Sequence, residues 1–413
     1  MLGIGRPAPI DPRQENMSAM SDAAVPPGAD AGLRSCVESI RDAAREGRVL
    51  RIRGGGSKDS YGEAPRGEIL DSRAIAGIVS YDPSELVITA RAGTPLAELE
   101  AALAESGQYL PFEPPHFQGP GGAVATVGGM VAAGLSGPAR ASAGAVRDFV
   151  LGAVLVDGRG QVLHFGGQVM KNVAGYDVSR LLAGSLGTLG LIAEVSLKVM
   201  PRPPATATLS FALGQQQALD TLNRWGGQPL PLNASAWFDD TVAPEGGPVG
   251  GQGGGTLLLR LAGAQAAVAA AVAQLARQGG SRLDDAAAAA LWQGLREHRM
   301  PAFAAPSPDW ALWRLSLPQT APATGWCGAS GAPVLVEWHG AQRWLWAGDE
   351  AAPHLRSQVR ALGGHATRFA GGPVPGLSFF QPQSAVLVRI QQRLQQSFDP
   401  HGVFDRGRLG LTP

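Results

Sequence analysis

Three glycine-rich runs in the first half of the chain have the residue types and spacing to do chemistry. In Arg53-Gly54-Gly55-Gly56-Ser57-Lys58, three glycines sit between two cations. Without Cβ atoms the backbone can curl until several N–H groups face one anion, and the flanking charges suit a pyrophosphate. The run lacks the GK[ST] ending of a Walker loop, and no helix follows it as GxGxxG requires. Taken alone, a triple glycine serves equally well as a tight turn. The second run is Ala125-Thr126-Val127-Gly128-Gly129-Met130, continuing through Gly134 to Ser136-Gly137-Pro138. Thr126 is placed to cap a short helix whose first turn, bare at Gly128 and Gly129, leaves amides open to a phosphate. A small-residue helix packed on a sheet accounts for the same letters. The third run joins Lys171-Asn172-Val173-Ala174-Gly175-Tyr176-Asp177 to Gly184-Ser185-Leu186-Gly187-Thr188-Leu189-Gly190, where repeated glycines imply close backbone approach. Two anion cradles in one stretch of chain point to a dinucleotide.

Regular elements must hold these runs in place. Val49 to Arg53 reads as a strand feeding the first glycine loop, and Glu85 to Ala90 as a second strand. Thr94 is expected to cap a helix with Pro95 at its first position and Leu96, Leu99 and Leu103 on one face, ended by Gly107. Phe149 to Val156 and Gln161 to Phe165 flank the hairpin loop Asp157-Gly158-Arg159-Gly160. Leu191 to Val199 alternates as a half-buried strand does. The first half is a strand-rich α+β unit.

Composition changes along the chain. All nine tryptophans lie at or after Trp225, whereas the three lysines, Lys58, Lys171 and Lys198, all precede residue 200. The stiff Pro201-Arg202-Pro203-Pro204 stands between them, so the expected division is an N-terminal arm at 1–30, one domain at 31–203 and a second at 204–413. In the second part, strands are expected at Ala207 to Leu213, Thr256 to Leu261, Trp310 to Leu317, Val334 to Trp338 and Arg343 to Trp346. Helices are expected at Ala264 to Arg277, Asp285 to Glu297, Ala351 to Leu362 and Gln383 to Gln396. This describes a smaller α/β sandwich closing over the first domain. The glycine run from Gly246 to Gly255 leads into a strand and reads as a flexible hairpin loop.

Whole-chain arithmetic removes several function classes. The 413 residues carry 34 Lys+Arg against 34 Asp+Glu, so no net charge draws the protein to nucleic acid. Two cysteines, Cys36 and Cys327, cannot supply the about four ligands of an iron–sulfur cluster, and they suit a reducing compartment. Met1 to Asp30 has no apolar core of a signal peptide and, with further methionines at Met17 and Met20, reads as a disordered arm or a mis-called start. No apolar stretch reaches the ~20 residues that span a bilayer.

The order of the motifs supports a resemblance. The succession RGGGSK, ITARAGTPLAELEAAL, ATVGGMVAAGLSGP, RDFVLGAVLVDGRG, KNVAGYDVSRL and GSLGTLGLIAEVSLKV, from Arg34 to about Pro201, resembles the FAD-binding domain of the vanillyl-alcohol oxidase and p-cresol methylhydroxylase (PCMH-type) flavoproteins. KNVAGYDVSRLLAGSLGTLG and the closing Asp399-Pro400-His401-Gly402-Val403-Phe404 most resemble the branch of FAD-binding accessory subunits of bacterial glycolate oxidase. The resemblance implies an α+β fold, a two-subdomain PCMH-type FAD-binding domain followed by an α/β cap. It implies that Gly54, Gly55, Gly56 and Ser57 wrap the FAD pyrophosphate, flanked by Arg53 and Lys58, with Thr126, Gly128 and Gly129 opposite. Ser136 and Gly144 would lie towards the flavin, Ile192 at the adenine or ribitol, and Lys171, Tyr176 and Asp177 near the ring. Covalent attachment in such proteins uses a His or Cys, often in the first glycine loop; RGGGSK has neither, so non-covalent FAD is expected, with His116 the nearest alternative anchor. The implied partners are a catalytic flavoprotein glycolate oxidase subunit and an iron–sulfur subunit, acting on a small 2-hydroxy acid. The implied location is cytoplasmic, with peripheral attachment to the inner membrane through those subunits.

Whether the chain oxidises anything itself turns on a base and a carboxylate clamp. His298, His339, His354, His365 and His401 are scattered singly, which points away from both a base cluster and a metal site. Arg260, Arg314, Arg343 and Arg368 are clamp candidates among 31 arginines. Asp405 and Arg406 stand where the resemblance implies asparagine and proline, which weakens a C-terminal contact to the flavin. Trp338, Trp344 and Trp346 suit either an aromatic docking face or a core. The readings left are a flavin-binding subunit and a free-standing D-2-hydroxy-acid dehydrogenase, with an NADPH-using cell-wall precursor reductase as a weaker third.

Overall fold

A computed structural model gives the structure of the chain and describes residues 30–117, 122–167, 177–242, 254–325 and 334–410. The expected N-terminal arm, most of the Gly246 to Gly255 run, Lys171, Tyr176 and Cys327 lie outside the described residues.

Helix α1 (Ala31–Glu46) opens where the Asp30 carboxylate accepts from the Gly32 amide, and it closes on left-handed Gly47. Strands β1 (Leu50–Arg53) and β2 (Glu68–Asp71) pair in parallel. Next come β3 (Ile78–Asp82), β4 (Val87–Arg91), α2 (Leu96–Glu105), the two-residue β5 (Gln108–Tyr109) and α3 (Val127–Ala133). Thr94 does not cap α2. Pro95 occupies that position, and the buried Thr94 hydroxyl instead bonds Gly77, accepting from its amide at 2.9 Å and donating to its carbonyl at 3.1 Å.

Strands β6 (Val150–Val156) and β7 (Val162–Gly166) form the expected hairpin, and β8 (Leu191–Lys198) completes a five-stranded sheet of order β3-β4-β8-β6-β7. The sequence pattern makes β8 half-buried. It is instead the central strand, with Leu191 and Ala193 facing the α1 core and Ile192 facing the core under α2 and α3. Covered on both sides, it buries even Ser196, which bonds Thr89 at 2.8 Å. The proline-rich connector begins as β9 (Met200–Pro201), paired with β5.

The second part is built on an eight-stranded sheet of order β13-β10-β12-β11-β15-β16-β14-β17. In chain order its elements are β10 (Ala205–Ala212), α4 (Gln215–Gly226), β11 (Leu232–Asp239), β12 (Gly255–Gly263), α5 (Gln265–Ala276), β13 (Ser281–Arg282), α6 (Asp285–Arg296), β14 (Trp310–Ser316), β15 (Val334–Glu337), β16 (Gln342–Gly348), α7 (Ala352–Ala361) and β17 (His365–Ala370). Sequence periodicity missed α4, β11, β13 and β17. Helix α4 is rich in Gln, and β11 contains Asn233 and Ala residues, so neither advertises its state locally. Helices α4, α5 and α7 cover one face of the sheet. The other face packs α6 together with Tyr61, Ala133 and Leu135 of the first half.

The three tryptophans form core. Trp344 and Trp346 belong to that inner cluster, and the indoles of Trp338, Trp344 and Trp346 donate to Gly137 O, Glu337 Oε2 and Ala302 O. Helix α8 (Ala385–Phe398) then returns the chain to the first half, where Leu394 and Phe398 pack on its core. Buried Asp399 accepts from the Val403 and Phe404 amides, and Leu50 pairs with Phe404 beside β1. A side chain at Gly158 would collide with Asp399, which explains the glycine in that hairpin loop.

Candidate functional site

The end of β1, the segment Val124 to Gly129 and the run Leu186 to Ile192 converge on one cleft. Arg53, Gly54, Gly55, Gly56, Ser57, Lys58, Thr126, Gly128, Gly129 and Ile192 all line it. Each glycine there has a different physical reason. Gly56 adopts φ +79°, the left-handed region that a Cβ disfavours. A Cβ on Gly55 would collide with the carbonyl of Val124, and one on Gly54 with the Thr126 hydroxyl. These two glycines let the loops touch each other. A Cβ on Gly129 would meet only Thr126 Oγ1, at 3.1 Å, and otherwise open space. Gly129 is thus the position where bare backbone faces the cleft.

The amides sort the same way. Those of Gly55, Gly56 and Ser57 donate to no backbone carbonyl among the described residues. Thr126 Oγ1 accepts from Gly129 N at 3.3 Å and caps α3. Gly128 departs from the open-amide expectation: its N–H donates to Ala92 O at 2.8 Å, and a Cβ there would strike Ala92. Its lack of a side chain serves the packing of α3 against β4.

Charge in the cleft is positive and differently held. Arg53 Nε donates to Asp59 at 2.7 Å. Lys58 is half-buried, donates to Ser57 Oγ and His116 O at 3.3 Å each, and loss of hydration pushes its ammonium down to about 8. Arg408, which the sequence did not flag, also lines the cleft and donates to the carbonyls of Asp59, Glu63 and Tyr61. Only the returning C-terminus brings it there. Ile52, Ala92 and Ile192 add apolar lining. Free amides, the cations Lys58 and Arg408 beside the Asp59-paired Arg53, and apolar lining fit a dinucleotide with its pyrophosphate at the glycine loop.

Other expected residues lie elsewhere. Ser136 lines a second, smaller cavity, and its Oγ accepts from Val146 N. Gly144, at φ +107°, packs on Asp148 and Phe149 away from the cleft. Asp177 caps the turn Val178–Leu181 and pairs with Arg180, so its carboxylate is engaged locally. Among the described residues no His or Cys lines the cleft. His116 is tied to Glu100 at 2.9 Å, and buried Cys36 is pushed up to about 11.

The second cavity lies between the halves, and the Phe117 ring on its wall stands 5.5 Å from the ammonium of Lys58 in the first. His298 lines it, half-buried, stacked on Phe303 at 4.1 Å and flanked by Trp344 and Phe369. That apolar shell pushes its imidazole down to about 3. Of the four clamp candidates, Arg260 pairs with Glu113, Arg368 with Asp349, and Arg343 donates to Ala321 and Pro322 carbonyls. Arg314 faces the cavity and donates to the Tyr61 hydroxyl at 3.1 Å. No group of three metal-ligating side chains occurs among the described residues.

Comparison with known proteins decides the family. Residues 33–166 match the family model described as an FAD binding domain. Over 383 residues the chain is 44% identical to the glycolate oxidase subunit GlcE of Escherichia coli (strain K12), an alignment covering 91% of this chain and 99% of that protein. The chain belongs to the GlcE family of glycolate oxidase subunits. It is a PCMH-type FAD-binding oxidoreductase subunit. Likeness to other flavoproteins is partial. The glycolate oxidase subunit GlcD of Bacillus subtilis (strain 168) is 31% identical over 38% of this chain and 33% of its own length. A D-lactate dehydrogenase of Archaeoglobus fulgidus is 37% identical over 37% of this chain and 33% of its own. A solved alkyldihydroxyacetonephosphate synthase superposes with TM-score 0.61 at 16% identity, over 90% of this chain and 74% of that one, and so shares the fold.

Proposed function

We propose that this chain is the FAD-holding subunit of a glycolate-oxidising complex and that it oxidises no hydroxy acid unaided. Substrate is turned over at a catalytic flavoprotein subunit, and an iron–sulfur subunit carries electrons onward. The complex is cytoplasmic, attached at the inner membrane through its partner subunits. The observation that carries the reading is the contrast between the two cavities. The glycine-loop cleft keeps unengaged amides beside Lys58, while His298 in the second cavity is held neutral among aromatic rings.

FAD, when bound, supplies two-electron redox chemistry at its ring. The chain's own residues bind and orient it. The Gly55, Gly56 and Ser57 amides donate to the pyrophosphate, Lys58 and Arg408 balance its charge, and Gly129 leaves space on the facing side. Non-covalent binding is the proposed mode, since the loop Arg53-Gly54-Gly55-Gly56-Ser57-Lys58 contains neither His nor Cys. His298 is a poor base, because a conjugate acid near 3 has little affinity for a hydroxyl proton at neutral pH. The working unit for FAD is 31–203 completed by the returning C-terminal segment, with the cap built from the rest of 204–413.

The test is anaerobic. Glycolate or D-lactate added to the isolated, flavin-loaded chain is expected to leave its absorbance unchanged, while glycolate bleaches the complete complex. Bleaching of the isolated chain would sink the reading in favour of a free-standing D-2-hydroxy-acid dehydrogenase.

A further inference from the structure

Helix α8 is turned inside out over its first half. Val386, Leu387 and Ile390 are 56%, 47% and 57% exposed, three of the eight large apolar side chains that the described surface leaves open. On the opposite side Gln392 is half-buried and Gln395 is buried, and Gln391, one turn after Leu387, is half-buried beside the stripe; Gln391 Oε1 and Gln395 Nε2 have no hydrogen-bond partner among the described residues. An amphipathic helix that ends at a free surface buries its apolar stripe and shows its amides to water. This one does the reverse. Three aliphatic side chains within two turns, at i, i+1 and i+4, make a contiguous stripe and not a scatter of single exposed residues.

We infer that the α8 stripe is the docking surface for the catalytic flavoprotein subunit, seated in an apolar groove of that partner with an acidic rim. The inference rests on the complex-subunit reading above. Charge argues for the rim: α8 contains Arg389 and Arg393, both exposed, and no acidic residue from Ser384 to Phe398. Size and composition argue for a protein groove over a lipid surface. The stripe has no Trp, Tyr or Phe among its exposed residues and only two cations, too little for an interfacial membrane helix. Anchorage argues for a rigid handle. Ser384 caps the helix through Leu387 N, while Leu394 and Phe398 bolt its far end onto the core of the FAD-binding half. Docking here would therefore hold the partner against the half that carries the cofactor cleft.

The experiment uses the full-length, flavin-loaded chain and the purified catalytic flavoprotein subunit from the same source, with binding read by interferometry. Val386→Asp/Ile390→Asp is expected to bind the subunit roughly 100-fold more weakly, and Arg389→Glu/Arg393→Glu to bind more weakly with a reduced salt dependence. Both variants keep wild-type FAD content and melting temperature, because the altered side chains are exposed. If wild type binds and Val386→Asp/Ile390→Asp binds equally well, the docking surface is wrong and the complex-subunit reading stands. If wild type itself binds no catalytic subunit, that reading fails first. If wild type instead sediments with vesicles of anionic phospholipid and the apolar double variant does not, the stripe is a lipid-binding surface and the inference is overturned.

Discussion

The ammonium of Lys58 stands 5.5 Å from the centre of the Phe117 ring and donates to the neighbouring His116 carbonyl, so the cation of the glycine loop is gripped by the strap that borders the second cavity. Glu297, whose charge reaches Lys58, has its carboxylate engaged by the amides of His116 and Phe117. Lys58 thus has burial without a bonded counter-ion, and its ammonium sits near 8 until an anion arrives.

That arrangement makes FAD affinity depend on pH. A bound phosphate favours the charged amine and raises its pKa, so binding takes up a proton once the pH exceeds about 8. Affinity should be level below that pH and fall above it. Lys58→Gln should bind roughly 10- to 100-fold more weakly, the range for a lost charge-assisted bond, with a level profile to pH 9.5. Fluorescence titration of FAD across pH 6.5 to 9.5 checks this; equal slopes for both proteins would remove Lys58 from the cradle.

Two glycine substitutions should fail in different ways. Gly55→Ala drives a Cβ into the Val124 carbonyl, forcing the loops apart, so both melting temperature and FAD content should drop. Gly129→Leu meets open space beyond Thr126 Oγ1 and should keep its melting temperature while losing flavin. Thermal melts with bound-flavin absorbance separate the two; stoichiometric flavin in Gly129→Leu contradicts the proposed phosphate path.

Glu337 predicts a stability slope of opposite sense to ordinary acid denaturation. It is buried, and burial pushes its carboxyl up to about 7 although Trp344 and Gln342 donate to it. Between the usual 4.5 and about 7 the folded chain holds a proton the unfolded chain has released, so stability falls as pH rises through that window. Glu337→Gln should flatten this component and raise the melting temperature at pH 8 by a few degrees. Melting curves at pH 5 and pH 8 decide; an unchanged difference between the two pH values counts against it.

His298→Phe keeps the ring stacked on Phe303 and removes the imidazole. Turnover of the assembled complex should stay within about two-fold of wild type, whereas loss of a general base costs about 10²- to 10⁴-fold. Steady-state kinetics of the reconstituted complex give the answer, and a drop of that size would make His298 catalytic.

Local chemistry made part of this protein legible before folding. The cap at Thr126, the hairpin around Asp157-Gly158 and the helices at Gln265–Ala276 and Asp285–Arg296 rest on neighbours in sequence. So does the glycine loop, whose permissiveness is a property of each residue. Thr94 misled because its hydroxyl found Gly77, 17 residues away, and Leu191 to Val199 because alternation cannot reveal that a second layer covers the polar side.

By itself the sequence determined that bare backbone, two cations and a following capped turn occur in the order a dinucleotide cradle needs, since backbone freedom and capping are decided within a few residues. Only the tertiary structure decided which amides stay open to the cleft, because Gly128 N–H is claimed by the Ala92 carbonyl and Gly129 N–H by the Thr126 cap, while those of Gly55, Gly56 and Ser57 meet no backbone carbonyl among the described residues. It alone brought Arg408 into the cleft from some 350 positions downstream of Lys58 and closed His298 into an aromatic shell. Those outcomes depend on contacts between segments far apart in the chain, whose energies exist only once both cores have packed.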